Sequence, residues 1–167
     1  NNGEMPILNE KGKDFYFINC QGNNKILDTL IGLIDKRLPN YNKHWDKLKH
    51  IQILTPMRRG VLGVGNLNKK LQEVLNPPSK GKKEKEFRDN TFRVGDKVMQ
   101  TKNNYSLKWN RTAGLGEQEG VGIFNGDMGY IEDIDEENNT VSIIFEEERR
   151  VVYESIYLDE IDLAYAI

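Results

Sequence analysis

The sequence predicts an α/β layer with parallel strands into which a small antiparallel β-barrel is inserted. Three observations predict it. The first half of the chain reads strand, helix, strand, helix, the grammar of parallel βα units. From Phe92 onward the pattern changes to short runs of alternating apolar and polar residues, two of them opened by a Gly-Asp turn. The final run, residues 161–167, is apolar enough to form a buried strand returning to the first layer, which makes the barrel an insertion.

Residues 1–12 are polar, with Pro6 and two glycines, and read as a loosely held lead-in. Residues 14–19 are aromatic and β-branched and predict a strand. Ile26, Leu27, Leu30, Ile31, Leu33, Ile34 and Leu38 recur at helical spacing, so a helix is expected over 25–38, ended by Pro39. Ile51-Gln52-Ile53-Leu54-Thr55 reads as a buried strand stopped by Pro56. After a glycine-rich turn, Leu67, Leu71, Val74 and Leu75 share one face of a second helix over 67–75. Asn76-Pro77-Pro78 breaks the pattern. Lys80, Lys82, Lys83 and Lys85 then alternate with Glu84 and Glu86 in a run without apolar residues, which reads as a solvated linker. The expected division is therefore 1–78 in the α/β layer, 79–90 linker, 91–158 barrel and 159–167 returning strand.

Within the barrel, Gly95 and Gly126 supply the positive φ that tight turns need. Residues 105–120, with Gly114, Gly116, Gly120 and mixed charges, read as a long mobile loop. Residues 136–139 and 146–148 read as hairpin turns joining strands near 129–134, 140–145 and 149–154.

Composition narrows the function. Hydrophobic residues are 37% and charged residues 30%, so the core is modest and the surface heavily charged. A net charge of -2 argues against bulk attraction to nucleic acid and leaves room only for a local patch. No apolar run is long enough to span a bilayer and no signal-peptide pattern opens the chain. The single Cys20 excludes an internal disulfide and fits a reducing, cytoplasmic setting; its surroundings make it a small buried hydrophobe. The chain starts without Met and stops in an apolar run, so a fragment of something larger is expected.

The chemistry of catalysis is sparse. Lys80-Gly81-Lys82-Lys83 lacks the spacing, hydroxyl and preceding strand of a phosphate loop. His44 and His50 stand apart from any Cys or carboxylate cluster, and the acidic runs 133–137 and 146–148 lack the form of a calcium loop. Two segments suit nucleic acid instead. Thr55-Pro56-Met57-Arg58-Arg59-Gly60 leads through glycines to a helix start near Asn66; Arg58 and Arg59 there can clamp phosphate beside outward N–H groups. The same stretch also reads as a glycine-rich connection with two solvated arginines. Gln100, Lys102, Asn103 and Tyr105, followed by Trp109, mix amides, cations and rings in the way single-stranded nucleic acid requires, where bases stack and cations follow the backbone. Tyr105 and Trp109 equally suit a role as core or loop anchors. Asn125-Gly126 is a strong turn dipeptide that would lie beside such a strand.

These residues carry a resemblance. Ile51-Gln52-Ile53-Leu54-Thr55-Pro56-Met57 with Gly60, Leu67-Asn68 and Leu71-Gln72, then Phe92-Arg93-Val94-Gly95-Asp96-Lys97-Val98-Met99-Gln100, Asn103-Asn104-Tyr105, Phe124-Asn125-Gly126-Asp127 and Leu163-Ala164-Tyr165-Ala166, resemble the second motor domain of RecD-like DNA helicases. These are the RecD/TraA group of superfamily 1, which includes the exodeoxyribonuclease V alpha subunit, and the likeness runs from about Asp14 to the end. It implies a partial RecA-like layer carrying an SH3-like barrel, in a parent that hydrolyses ATP with Mg²⁺ and moves 5′ to 3′ on single-stranded DNA in DNA repair. The family's phosphate loop and Mg²⁺-binding motif would precede Asn1, and its Thr-His-Lys-Ser-Gln-Gly motif would follow Ile167. The chain alone is therefore expected to hold no cofactor and to hydrolyse no ATP. The partners expected are single-stranded DNA and the remaining motor domains of the same polypeptide, with no membrane. The DNA contacts would come from Thr55, Met57, Arg58, Arg59, Asn66, Gln100, Lys102, Asn103, Tyr105 and Asn125. The alternative is an SH3-like module that docks a protein partner on its strand edges or along residues 105–120, with DNA bound elsewhere in the parent.

Overall fold

The computed structural model describes residues 15–167. Among the described residues, strands outweigh helices. Seven strands form one curled antiparallel sheet: β3 (Lys97–Gln100), β4 (Asn104–Arg111), β5 (Glu119–Ile123), β6 (Met128–Asp135), β7 (Thr140–Phe145), β8 (Arg149–Glu154) and β9 (Ile161–Leu163). Their order is β5-β4-β8-β7-β6-β3-β9. Alternation explains it, since β7 points Val141, Ile143 and Phe145 inward with the residues between them half-buried. Curling brings Val98, Ile123, Ile134, Val151 and Tyr153 into the same fully enclosed interior. The turns at 136–139 and 146–148 fall where the sequence places them, and Gly95 and Gly126 have φ of 90° and 97°.

Three segments differ from expectation. The charged run ends in a strand, β1 (Glu84–Phe87), paired with β2 (Asn90–Arg93), where a solvated linker was expected. Its charges settle on neighbouring groups: Lys82 donates to Asn76 Oδ1 at 2.6 Å, Lys83 meets Asp133 at 2.8 Å, and Arg93 pairs with Glu84. Residues 105–120 are not one long loop. Residues 105–111 belong to β4, which is bonded to β8 on one side and β5 on the other, and only 112–118, with Gly114 and Gly116, remain a connection between β4 and β5. Pro39 does not end the first helix. Helix α1 (Asn23–Gly32) widens into a π-helical turn (Leu33–Arg37), in which the Leu38 N–H reaches Leu33 O, and continues as α2 (Leu38–Tyr41) with Pro39 in its first turn. The wider turn directly before Pro39 breaks the regular ladder where the proline ring and its missing N–H would disrupt a regular α-helix.

A parallel α/β layer is not formed among the described residues. Residues 15–19 lie outside any strand, and the remainder of that expected strand, Asp14, falls outside the described residues. The segment 51–55 is reduced to a parallel bridge from Ile53 to Ala166, flanked by Thr55 N–H to Ile167 O at 2.9 Å and Ile167 N–H to Ile53 O at 3.1 Å. The final run is split between two jobs. Residues 161–163 close the sheet against β3, and only the last residues return to Ile53.

Helix α3 (Val64–Leu75) joins these parts. Its inner face carries Leu67 and Leu71 as expected, but Val74 is exposed and the rest of that face is amide. Asn68, Gln72 and Asn76 follow at steps of four. Asn68 holds both ends of its amide on the returning run, donating to Leu163 O at 2.7 Å and accepting from the Ala166 N–H at 2.8 Å. Gln72 and Asn76 both reach Asp96, the aspartate of the first Gly-Asp turn, at 2.6 Å. The Tyr165 hydroxyl at 2.7 Å and the Arg93 N–H at 2.6 Å complete four donors on one carboxylate that is wholly buried. Burial pushes this carboxyl above its ordinary range, and the four donors pull against that. Nearby, Lys97 is buried with its ammonium on Leu48 O at 2.8 Å, and burial lowers its pKa.

Candidate nucleic-acid interface

The first group of expected contacts lies on the loop that enters α3. The Thr55 hydroxyl donates to Leu62 O at 2.8 Å and accepts the Met57 N–H at 3.2 Å. Asn66 Nδ2 donates to Val61 O at 2.7 Å, and the Val64 N–H to Met57 O at 2.9 Å. Thr55 and Asn66 are thus fasteners of the loop, while Met57, Arg58 and Arg59 stand on its outside. Gly63 is required here, because a Cβ on it would lie 2.6 Å from the Arg59 backbone. Neither Arg58 nor Arg59 has an ion-pair or hydrogen-bond partner among the described residues. Gly63 caps α3 without a side-chain hydrogen bond and the first turn holds no acid, so the helix presents its positive end beside the arginines. The adjoining cleft, about 480 Å³, is lined by Arg58, Gly65 and Asn68 on one side and by Asp89 and Asp162 on the other. Its charge is therefore mixed, one arginine against two carboxylates.

The second group lies on the rim made by the start of β4 and the turn after β5. Gln100 does not face outward. Its side chain is fully buried, donating to Glu160 at 2.9 Å and accepting the Tyr153 hydroxyl at 2.8 Å, so it supports the rim from beneath. Lys102 is exposed and paired with Asp159 at 2.7 Å. Asn103 Oδ1 accepts the Asn125 N–H at 2.9 Å, which fastens the two turns together. Tyr105 is 71% exposed, and its ring meets Phe124, 41% exposed, edge to face at 5.5 Å. Sequence reasoning brought Tyr105 and Asn125 into question separately; the fold sets them side by side and adds Phe124. The signal for Phe124 was an aromatic residue directly before an Asn-Gly turn.

No cluster of His, Cys, Asp and Glu suited to a metal ion exists among the described residues. His50 accepts the Asp46 N–H at 2.8 Å and Cys20 lies 3.6 Å from Thr29 Oγ1, both local structural contacts. The other strongly shifted groups are internal: burial raises the hydroxyls of Tyr153 and Tyr165, which are occupied by Gln100 and Asp96. Among the described residues no helix is long and apolar enough to cross a membrane.

Residues 67–145 match the family described as the SH3 domain of ATP-dependent RecD-like DNA helicases. The match opens on α3 rather than on the first strand, in keeping with the helix being bonded to Asp96. The ATP-dependent RecD2 DNA helicase of Deinococcus radiodurans is 38% identical over 81 residues, which are 48% of this chain and 9% of that protein. The matched stretch is thus a small part of its relative.

Proposed function

Starting from a chain that carries a RecD-like helicase SH3 domain over residues 67–145, we propose that it is a piece of an ATP-dependent 5′-to-3′ DNA helicase and that its own contribution is to grip single-stranded DNA. Residues outside the sheet would then belong to the second RecA-like motor domain, with the curled sheet as its insert. ATP and Mg²⁺ would be held by other parts of the same polypeptide; the sequence here has no phosphate-loop motif. The setting would be cytoplasmic DNA repair.

The observation that carries this reading is the pair of unpartnered cations, Arg58 and Arg59, at the uncapped start of α3. Guanidinium groups and helix N–H groups together suit phosphate, and such backbone contacts favour no particular sequence. The test is binding of fluorescent poly-dT by anisotropy across a salt series. Arg58→Ala with Arg59→Ala should weaken binding and reduce the slope of log affinity against log salt by about 1.4, for two phosphates at about 0.7 each on a single strand. An unchanged slope would remove the arginines from the DNA track.

A second reading has its own observation. The outer face of β4, β5 and β8 holds a shallow trough of about 670 Å³ lined by Lys108, Trp109, Glu119, Val121, Arg150 and Val152. Val121 and Val152 are 62% and 53% exposed there, which suits a protein partner. A folded chain that fails to bind poly-dT at low salt would favour this reading.

A further inference from the structure

We propose that Tyr105 and Phe124 form a stacking subsite that takes an unpaired base of the single strand, distinct from the phosphate grip at Arg58 and Arg59. This rests on the single-stranded DNA reading above and deepens it.

Both rings are held in position from below. The pairing of β4 with β5 shifts register between Asn104, opposite Ile123, and Lys108, opposite Val121. Residues 105–107 therefore face the single residue Gly122, and Tyr105 stands out of the regular sheet on this bulge. Bulges re-aim side chains in this way. Gly122 has φ of 101°, and a Cβ there would lie 2.9 Å from Phe124 Cζ. The Phe124 ring thus lies against a glycine and meets Tyr105 edge to face. The Asn125 N–H bond to Asn103 fixes the spacing of the two turns that carry the rings.

The charges around the pair select a base over a phosphate. Every carboxylate bonded to the rim is already occupied: Asp127 accepts the Phe124 N–H at 3.1 Å and Arg149 at 3.3 Å, Asp159 holds Lys102, and Glu160 accepts from Gln100 and Asn104. The two cations bonded into the rim, Lys102 and Arg149, are therefore each already paired with a carboxylate. The rim offers aromatic surface and the amides of Asn103 and Asn125, which suit the face and the edge of an unstacked base.

The experiment compares poly-dT with an abasic oligonucleotide of the same length and charge. Wild-type protein should bind poly-dT about tenfold more tightly, the effect of a stacked base. Tyr105→Ala with Phe124→Ala should bind both oligonucleotides equally, at the wild-type abasic affinity and with the wild-type salt slope. Equal wild-type affinity for the two would overturn the stacking subsite and leave the phosphate grip standing. A double variant that keeps its preference for poly-dT would also overturn it. Wild-type protein that is folded by circular dichroism and binds neither oligonucleotide would overturn both readings. The wild-type comparison needs no substitution, so it decides the question even where the double variant fails to fold.

Discussion

Replacing Asp96 with alanine should be the most damaging single change in the sheet's first turn, and its size follows from the contacts. The carboxylate is fully buried and accepts from Gln72, Asn76, Tyr165 and the Arg93 N–H. A buried donor stripped of its acceptor costs about 1–3 kcal/mol, so four at the low end come to about 4 kcal/mol. Removing the carboxylate also removes its own burial cost, which offsets about 1 kcal/mol. The expected loss is about 3 kcal/mol, a large share of an ordinary domain's stability. Asp96→Asn keeps the shape and one acceptor oxygen, and the Tyr165 hydroxyl can turn to accept from the new amide, so about half that loss is expected. Urea unfolding should be followed separately at Trp45 and Trp109, using Trp109→Phe and Trp45→Phe backgrounds. Trp45 reports on the segment before Ile53 and Trp109 on β4. With Asp96 in place the two transitions should coincide; without it, α3 and the returning run lose their hold on the sheet and the transitions should separate. A loss below about 1 kcal/mol with coincident transitions would refute the idea that this carboxylate joins the two parts.

Two further outcomes follow from buried groups. Burial holds the hydroxyls of Tyr153 and Tyr165 well above their unfolded pKa of about 10. The stability they carry is whole below that pH and declines above it, by about 1.4 kcal/mol per pH unit for each tyrosine. Urea midpoints from about pH 9 to 11 should therefore fall less steeply in Tyr153→Phe than in wild type, and parallel curves would refute this. Gly129→Ala should cost about 2–3 kcal/mol by overpacking, because its Cβ would sit 2.7 Å from Ile144 O and 2.8 Å from Ile143 Cγ2. Gly65→Ala, in open space within α3, should gain about 0.5 kcal/mol; a Gly129→Ala midpoint no lower than that of Gly65→Ala would contradict the crowding.

The strands from Met128 to Glu154 were legible because one face is buried and the other wet, which writes itself as alternation. Helix α3 was legible only in part. Leu67 and Leu71 announce a buried face, but Asn68, Gln72 and Asn76 fill the rest of it, and an amide's burial depends on carbonyls and carboxylates supplied by residues far along the chain. Hydropathy carries no trace of those partners. The same blindness affects the site. Gln100 and Asn103 read alike in sequence, yet one is enclosed under Tyr153 and the other stands on the rim. The hairpin of β1 and β2 was hidden because its charges are satisfied on neighbouring surface. The strands within 105–120 were hidden because Gly114 and Gly116 do mark a connection, whereas Gly120 sits in β5 where the Trp109 ring would meet a Cβ at 2.4 Å.

Asn76 and Tyr165 donate to the same oxygen of Asp96. The chain leaves the helix and comes back from the sheet at nearly the same point, after 88 intervening residues (77–164). Such a layout tolerates growth and pruning. Hairpins within the excursion can lengthen, shorten or be exchanged while α3 and the returning run keep their places, provided Asp96 and its partners stay. Descent with variable ornament on a constant anchor is what this arrangement permits, and the anchor, rather than the ornament, is the part to seek in divergent sequences.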